Sequence, residues 1–337
     1  MERNTHKMLT VVLTYLRSSL SYLAAAGYIF LKKCLLLKGV EEVGVRCCCK
    51  NRVQGKVVII TGANSGIGYS TALDLANKGA KVYLACRRSQ EGEEAAQKLR
   101  TITGNSQVYY LHLDLAQLSS VRSFVAALTK RERKVDALVN NAAIFHHPPG
   151  LTVDNLEVTY HTNFLGVYLL TSLLLDLLQC AQSPRIVLIS SEAHKLVSVA
   201  DLLDFNPQEL RVLDDFSDHV KNYGISKLGL HLFAKHLIQT SKGVEVVIVD
   251  PGNVWTDIYR HSWQSWSQFP TRLYCYSFMK DTLEGAQSTI HALNAPSHIH
   301  GKYINSLLDA EEEKTYDSVV VKQFITASSV LSGLHSL

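Results

Sequence analysis

Lys56-Val57-Val58-Ile59-Ile60 runs straight into Thr61-Gly62-Ala63-Asn64-Ser65-Gly66-Ile67-Gly68 and then into Tyr69-Ser70-Thr71-Ala72-Leu73-Asp74-Leu75-Ala76. The first run is short and apolar throughout, which predicts a buried strand, and the last reads as a helix. Strand, glycine loop and helix in that order make the setting in which a nucleotide is bound at a helix N-terminus. Gly62 permits the tight turn, while Gly66 and Gly68 let the backbone and the helix approach a pyrophosphate. Asn64, Ser65 and Ile67 complete the loop. Its spacing is Gly-x3-Gly-x-Gly rather than the Gly-x-Gly-x2-Gly of the longer dinucleotide fingerprint.

Outward from this loop, short β-rich runs alternate with helical runs from Val57 to Ile304, which predicts one parallel sheet wound by helices. The 337 residues suffice for one large α/β domain, and no repeat or glycine/serine linker divides them. The formal net charge of +4 is too mild to indicate a nucleic-acid partner without a basic stripe. The seven cysteines lack disulfide-framework or metal-ligand spacing, so no metal is expected. Cys86 and Cys180 read as small core residues, and Glu311-Glu312-Glu313 as a solvated charge run. His146 and His147, ahead of Pro148-Pro149, are expected at the surface.

Tyr223-Gly224-Ile225-Ser226-Lys227 is expected at the head of an apolar helix. Residues i and i+4 share a helix face, so the ammonium can sit beside whatever the phenol touches. A lysine charge ~4–5 Å away would favour the phenolate by roughly two to three pKa units, making Tyr223 a general acid/base.

Together these residues resemble the short-chain dehydrogenases/reductases over Gly55 to Gly301. Thr61 to Gly68 match that family's cofactor loop, and Asp114, with Leu115, matches its adenine-contacting acid. Asn140-Asn141-Ala142-Ala143 is similar to the family's Asn-Asn-Ala-Gly signature, with Ala143 in place of the glycine. Asn163 matches the helix asparagine of the catalytic tetrad, and Ser191 its serine. Pro251-Gly252-Asn253-Val254-Trp255-Thr256 resembles the nicotinamide loop. The resemblance implies an α/β fold with a single Rossmann-type doubly wound parallel sheet, helices on both faces, and a catalytic set of Asn163, Ser191, Tyr223 and Lys227. In that set Tyr223 transfers the proton, Lys227 also binds the nicotinamide ribose, Ser191 holds the substrate oxygen and Asn163 holds a water. The stretch Leu196 to Asn222 resembles the insert of membrane-anchored retinol dehydrogenases. Tyr83-Leu84-Ala85-Cys86-Arg87 and Ser190-Ser191-Glu192-Ala193-His194 carry the same resemblance, which extends to the oxidoreductase domain of the WW-domain oxidoreductase.

The second strand should end near the adenosine ribose, where an acid usually marks an NAD site. Here Arg87 and Arg88 follow it. A guanidinium binds a 2′-phosphate through charge-assisted hydrogen bonds, so NADP(H) is expected in preference to NAD(H).

Three segments are expected: 1–54, a hydrophobic anchor with a basic linker; 55–310, the catalytic domain; and 311–337, a C-terminal helical extension. Met8 to Leu31 is apolar apart from Arg17, long enough to cross a bilayer or to lie as an interfacial helix. A cleaved signal is the alternative at Ala24-Ala25-Ala26-Gly27, but hydrophobicity resumes at Phe30 and favours a retained anchor. Lys32, Lys33, Lys38, Arg46, Lys50 and Arg52 outnumber the basic residues before it, placing the catalytic domain on the cytosolic side. Cys47-Cys48-Cys49 is either a palmitoylation site or a run of reduced thiols. The resemblance implies the endoplasmic reticulum as the membrane, and homo-oligomers as a possible assembly.

Trp255, Trp263, Trp266, Phe269, Tyr274, Tyr276 and Phe278 follow the nicotinamide loop, where the resemblance implies a substrate lid. Aromatic content there suits a lipophilic substrate, either a retinoid, a steroid, a prenol or a lipid aldehyde, although core packing or membrane-surface insertion would use the same residues. The expected activity is interconversion of an alcohol and a carbonyl. A cofactor-binding scaffold or regulatory protein on the same fold is the rival reading.

Overall fold

The computed structural model describes residues 47–210, 213, 216–260 and 279–334. The apolar stretch 8–31, the basic positions up to Arg46 and the aromatics from Trp263 to Phe278 lie outside the described residues.

The predicted first strand is β1 (Val57–Thr61), followed by α1 (Gly66–Asn77), β2 (Lys81–Cys86), α2 (Ser89–Thr103), β3 (Val108–His112), α3 (Leu118–Thr129) and β4 (Ala137–Asn140). Helix α4 spans Val158–Gln179 and contains a π-helical turn at His161–Leu165. Then come β5 (Arg185–Ile189), a 3-10 turn at Glu192–Leu196, α5 (Val199–Leu203), α6 (Phe216–Thr240) and β6 (Glu245–Val249). The described chain closes with α7 (Thr282–Asn294), β7 (Lys302–Ile304), β8 (Ala310–Glu312) and α8 (Ser318–Ser332).

Eight strands form one sheet in the order β3-β2-β1-β4-β5-β6-β7-β8. All neighbours pair in parallel except β7 and β8, which are antiparallel, so the sheet is not parallel throughout. Lys302-Tyr303-Ile304 and Ala310-Glu311-Glu312 are joined by a short turn, which permits only a hairpin. The sheet thereby runs through the expected boundary at 310/311.

Because side chains alternate along a strand, each strand feeds two cores. Ile59, Tyr83, Leu138, Ile186 and Ile248 pack beneath α3, α4, α6 and α8. Ile60, Leu84, Val139, Val187 and Val247 pack beneath α1, α2 and α7. Helix α4 has the length and mean hydropathy (1.3) of a membrane span, but 67% of its apolar window is buried against the sheet, as in a core helix.

Two placements differ from expectation. Helix α6 begins at Phe216, so Tyr223 lies in its second turn rather than at its head. Cys180 is exposed: it caps α4 two residues beyond Leu178, off the face through which Leu174 and Leu178 reach the core.

The order of the strands reverses between β1 and β4. In open α/β sheets, ligands bind at that reversal, beyond the carboxyl ends of the strands. The glycine loop follows β1 there, and Asn141 follows β4.

Candidate active site

The two loops at the reversal are tied together. Asn141 Nδ2 donates to the Thr61 carbonyl at 2.8 Å, and the backbone amides of Asn141 and Ala142 both donate to Thr61 Oγ1 at 2.9 Å. Gly62 has φ +66, and a Cβ on it would stand 3.0 Å from Ala142. Gly68 brings α1 so close that a Cβ would lie 2.5 Å from Asn141 Nδ2. Ser65 makes no side-chain cap bond to α1, which leaves the first-turn amides facing the groove. Ala143 lies outside the positive-φ region, so its methyl is accommodated without strain.

Two cavities meet at this loop pair. The smaller, about 120 Å³, is lined by Gly62, Asn64, Arg87, Asp114, Leu115 and Arg260 among others. Asp114 accepts the Ala116 amide at 2.9 Å, and the buried Leu115 is held where Gly166 of α4 meets its carbonyl. Arg88 Nη1 lies 2.7 Å from Glu91, which also accepts from Asn64 Nδ2 at 3.1 Å. The glycine cradle, the uncapped helix end and the flanking acid fit a dinucleotide.

The larger cavity, about 300 Å³, contains the chemistry. Ile67, Asn141, Pro251, Gly252, Val254 and Thr256 line the side towards α1, while Ser191, Tyr223 and Lys227 line its floor. The loop at Gly252 has φ +76, Val254 bridges to Lys280, and Thr256 caps the next turn through the Ile258 amide.

Tyr223 reaches Ser191 because α6 packs tightly on the 3-10 turn after β5. At Gly224 a Cβ would lie only 2.6 Å from the Ala193 carbonyl. The Ser191 side chain faces the Tyr223 phenol closely enough to favour its ionised form, against the effect of burial. Lys227 is buried, donates to the Ile189 carbonyl at 2.7 Å and sits 5.3 Å from the Tyr223 ring centroid. Asn163, on the π-helical turn of α4, accepts from the Ile144 amide (2.8 Å) and donates to the Ile144 carbonyl (2.9 Å) and to Ser226 Oγ (3.2 Å). Its carboxamide therefore ties the loop after β4 to the helix carrying Tyr223.

The electrostatics correct one expectation. Burial, with the nearby Tyr259 and Asp250, pushes the Tyr223 phenol up rather than down. Burial also takes the Lys227 ammonium down to about 7, against an opposing pull from Asp250. Desolvation is the first cause of both shifts, because burial penalises the charged form of each group. Such a phenol keeps its proton at neutral pH, and such a lysine changes charge near neutral pH.

Several participants escaped the sequence reading. Phe145 packs edge-on to Tyr223, Phe216 and Tyr259 at 5.2–5.9 Å between centroids, giving the cavity an apolar aromatic wall. His146 joins this group, ring to ring with Phe216 and His219, and is half-buried rather than at the surface. Behind Ser191, Ser190 Oγ lies 2.7 Å from His231 Nε2, and His231 Nδ1 lies 2.7 Å from Glu313 Oε1. Glu313 is only 8% exposed at its side chain, so it does not belong to a solvated charge run. The signal for His231 was its i+4 spacing from Lys227; Glu313 had none. Acid, imidazole and hydroxyl in this order resemble a nucleophilic triad, but Ser190 is 2% exposed and its hydroxyl is turned to α6. His194 stacks on His231 at 3.9 Å and bonds the Ser191 carbonyl, not its hydroxyl. Burial first, then the neighbouring His231, holds it neutral, its pKa near 2.

Comparison with known proteins agrees with this geometry. The family described as short chain dehydrogenase matches residues 56–200. Retinol dehydrogenase 13 of Mus musculus is 38% identical over 89% of this chain and 90% of its own length. Retinol dehydrogenase 12 of Homo sapiens is 37% identical over 76% of this chain and 80% of its own. Among solved structures, an uncharacterised protein from Mycobacterium Paratuberculosis is 28% identical with a TM-score of 0.61, covering 84% of this chain and 96% of that one. A short chain dehydrogenase from Shigella flexneri complexed with NADP shares the fold at 18% identity and a TM-score of 0.58, covering 76% and 99%.

Proposed function

The chain belongs to the short-chain dehydrogenase family, and from that premise we propose that it is an NADP(H)-dependent oxidoreductase interconverting an alcohol and a carbonyl on a lipophilic substrate. The observation that carries the reading is the placement of Tyr223 beside Ser191 and Lys227 in an aromatic-walled cavity that adjoins the glycine-lined groove. Retinoids come first among substrates, on the likeness to retinol dehydrogenases, with steroids, prenols and lipid aldehydes as the wider class.

The nicotinamide cofactor supplies or takes up the hydride when bound. Gly62, Gly66 and Gly68 would cradle its pyrophosphate, and Asp114 and Leu115 would flank its adenine. Arg87 and Arg260, both at the small cavity, support a 2′-phosphate there. Ser191 and Tyr223 both donate to the substrate oxygen, which fixes the carbonyl against Tyr223. Tyr223, held protonated by burial, releases its proton to that oxygen during reduction and takes one during oxidation. Lys227 stabilises the phenolate as it forms, because a charge so close in a dry site is scarcely screened. Asn163 keeps α6 and the loop after β4 in register. Reduction is the favoured direction for a cytosol-facing enzyme. The sequence of 8–31 and the basic residues after it support a membrane anchor, with the endoplasmic reticulum as its site.

The test is NADPH consumption by the full-length protein in detergent against retinaldehyde, a steroid ketone, a prenyl aldehyde and a long-chain aldehyde. Turnover of at least one supports the proposal. Cofactor binding with no turnover across the panel would favour a scaffold.

A further inference from the structure

The residues just ahead of the catalytic domain are stitched along α7. The Cys47 amide donates to Gln287 Oε1 at 3.0 Å, and the Arg52 amide to Asn294 Oδ1 at 3.1 Å. His291, one helical turn beyond Gln287 on the same face, meets the two sulfurs of Cys47 and Cys49. Its Nδ1 is 3.7 Å from Cys47 Sγ and 3.2 Å from Cys49 Sγ, and all three donor atoms lie within 4.8 Å of one another. All three residues are half-buried, away from the cavity that holds Tyr223.

We propose that Cys47, Cys49 and His291 bind a thiophilic d10 cation, zinc in the first instance. Zinc–sulfur and zinc–nitrogen bonds of about 2.3 and 2.05 Å at a tetrahedral angle place sulfur and nitrogen about 3.6 Å apart. The two observed separations straddle that value. The Cys49 amide also lies 3.3 Å from Cys47 Sγ and points an N–H at it, which fixes the two sulfurs on the same side of the segment. Two thiols and one imidazole select a soft or borderline metal over magnesium or calcium. Binding exchanges two thiol protons for one divalent ion, and the fourth position falls to water or to the adjacent Cys48 thiol. A bound ion would clasp the segment leading out of the apolar N-terminal stretch onto the catalytic domain. The donors come from opposite ends of the chain, 242 residues apart for Cys49 and His291, which is why cysteine spacing gave no sign of it.

The experiment uses the full-length chain in detergent under reducing conditions, loaded with zinc sulfate, desalted and analysed by mass spectrometry of the metal. The wild type and Cys180→Ser, which alters an exposed cysteine elsewhere, should retain about one zinc per chain, and Cys47→Ser, Cys49→Ser and His291→Asn each under roughly a tenth of that. Cobalt loading should give a sulfur-to-cobalt charge-transfer band that is lost in the two cysteine variants. Circular dichroism confirms that each variant is folded. Zinc absent from the wild type, or retained by any one of the three folded ligand variants, would overturn the assignment.

Discussion

His231, on the helix that carries Tyr223 and Lys227, holds its Nδ1 2.7 Å from Oε1 of Glu313, 82 residues further along the chain. A carboxylate only accepts, so in the neutral imidazole Nδ1 carries the hydrogen and Nε2 accepts from the Ser190 hydroxyl. The pair thus connects the segment after β8 to the end of β5, where Ser191 begins the active-site turn.

Removing Glu313 leaves a buried imidazole without its partner. Glu313→Ala should lower stability by about 1–3 kcal/mol, as for other bonds to a charged group in a buried setting. Urea denaturation measures this, and an unchanged midpoint would show that the contact contributes nothing.

Gly224 permits the approach that lets Tyr223 reach Ser191. Gly224→Ala drives a methyl to 2.6 Å from the Ala193 carbonyl, which must move away. We expect a stability loss of about 1–3 kcal/mol, together with a fall in kcat exceeding that of Gly243→Ala or Gly104→Ala at open loop positions. Near-native kcat in Gly224→Ala would show that the Tyr223–Ser191 spacing tolerates displacement.

Lys227 makes the free protein's stability depend on pH. Its pKa falls from 10.5 in the unfolded chain to about 7 in the fold. Between those values the unfolded chain binds more protons, so stability rises with pH across that window. Below about 7 the lysine is charged in both states and the cost of burying it is felt in full. Lys227→Met should therefore be more stable than wild type by about 2–5 kcal/mol at pH 6, a difference that shrinks towards pH 10. Denaturant midpoints of both proteins without cofactor, taken at several pH values, measure it. A constant difference would show that Lys227 does not titrate in that range.

Arg87 sits at the mouth of the small cavity. Arg87→Asp should raise KM for NADPH far more than for NADH, by at least about tenfold if a charge-assisted contact to the 2′-phosphate is lost. Equal effects on the two cofactors would remove Arg87 from cofactor selection.

Much of this was legible in the sequence because it is local. The strand–glycine–helix passage at Val57–Gly68 and the i, i+4 placement of Tyr223 and Lys227 depend only on backbone periodicity. What escaped depends on contacts between distant segments. Glu313 looks like its neighbours Glu311 and Glu312 until β8 brings it to His231. Cys180 looks like a core residue until its position on α4 is fixed. The direction of the Tyr223 shift depends first on burial and then on Tyr259 and Asp250, neither near it in sequence. The helix start at Phe216 was hidden because the polar residues Ser217, Asp218 and His219 do not announce an apolar helix.

The most direct measurement is pre-steady-state hydride transfer in Tyr223→Phe, followed by NADPH absorbance with a carbonyl substrate that the wild type reduces. The change deletes one oxygen from a ring that stays packed on Phe145. NADPH affinity should remain within about threefold, while the transfer rate falls by about 10²–10⁴ through loss of the general acid. A variant that binds NADPH normally and transfers hydride at close to the wild-type rate would contradict the account at its centre.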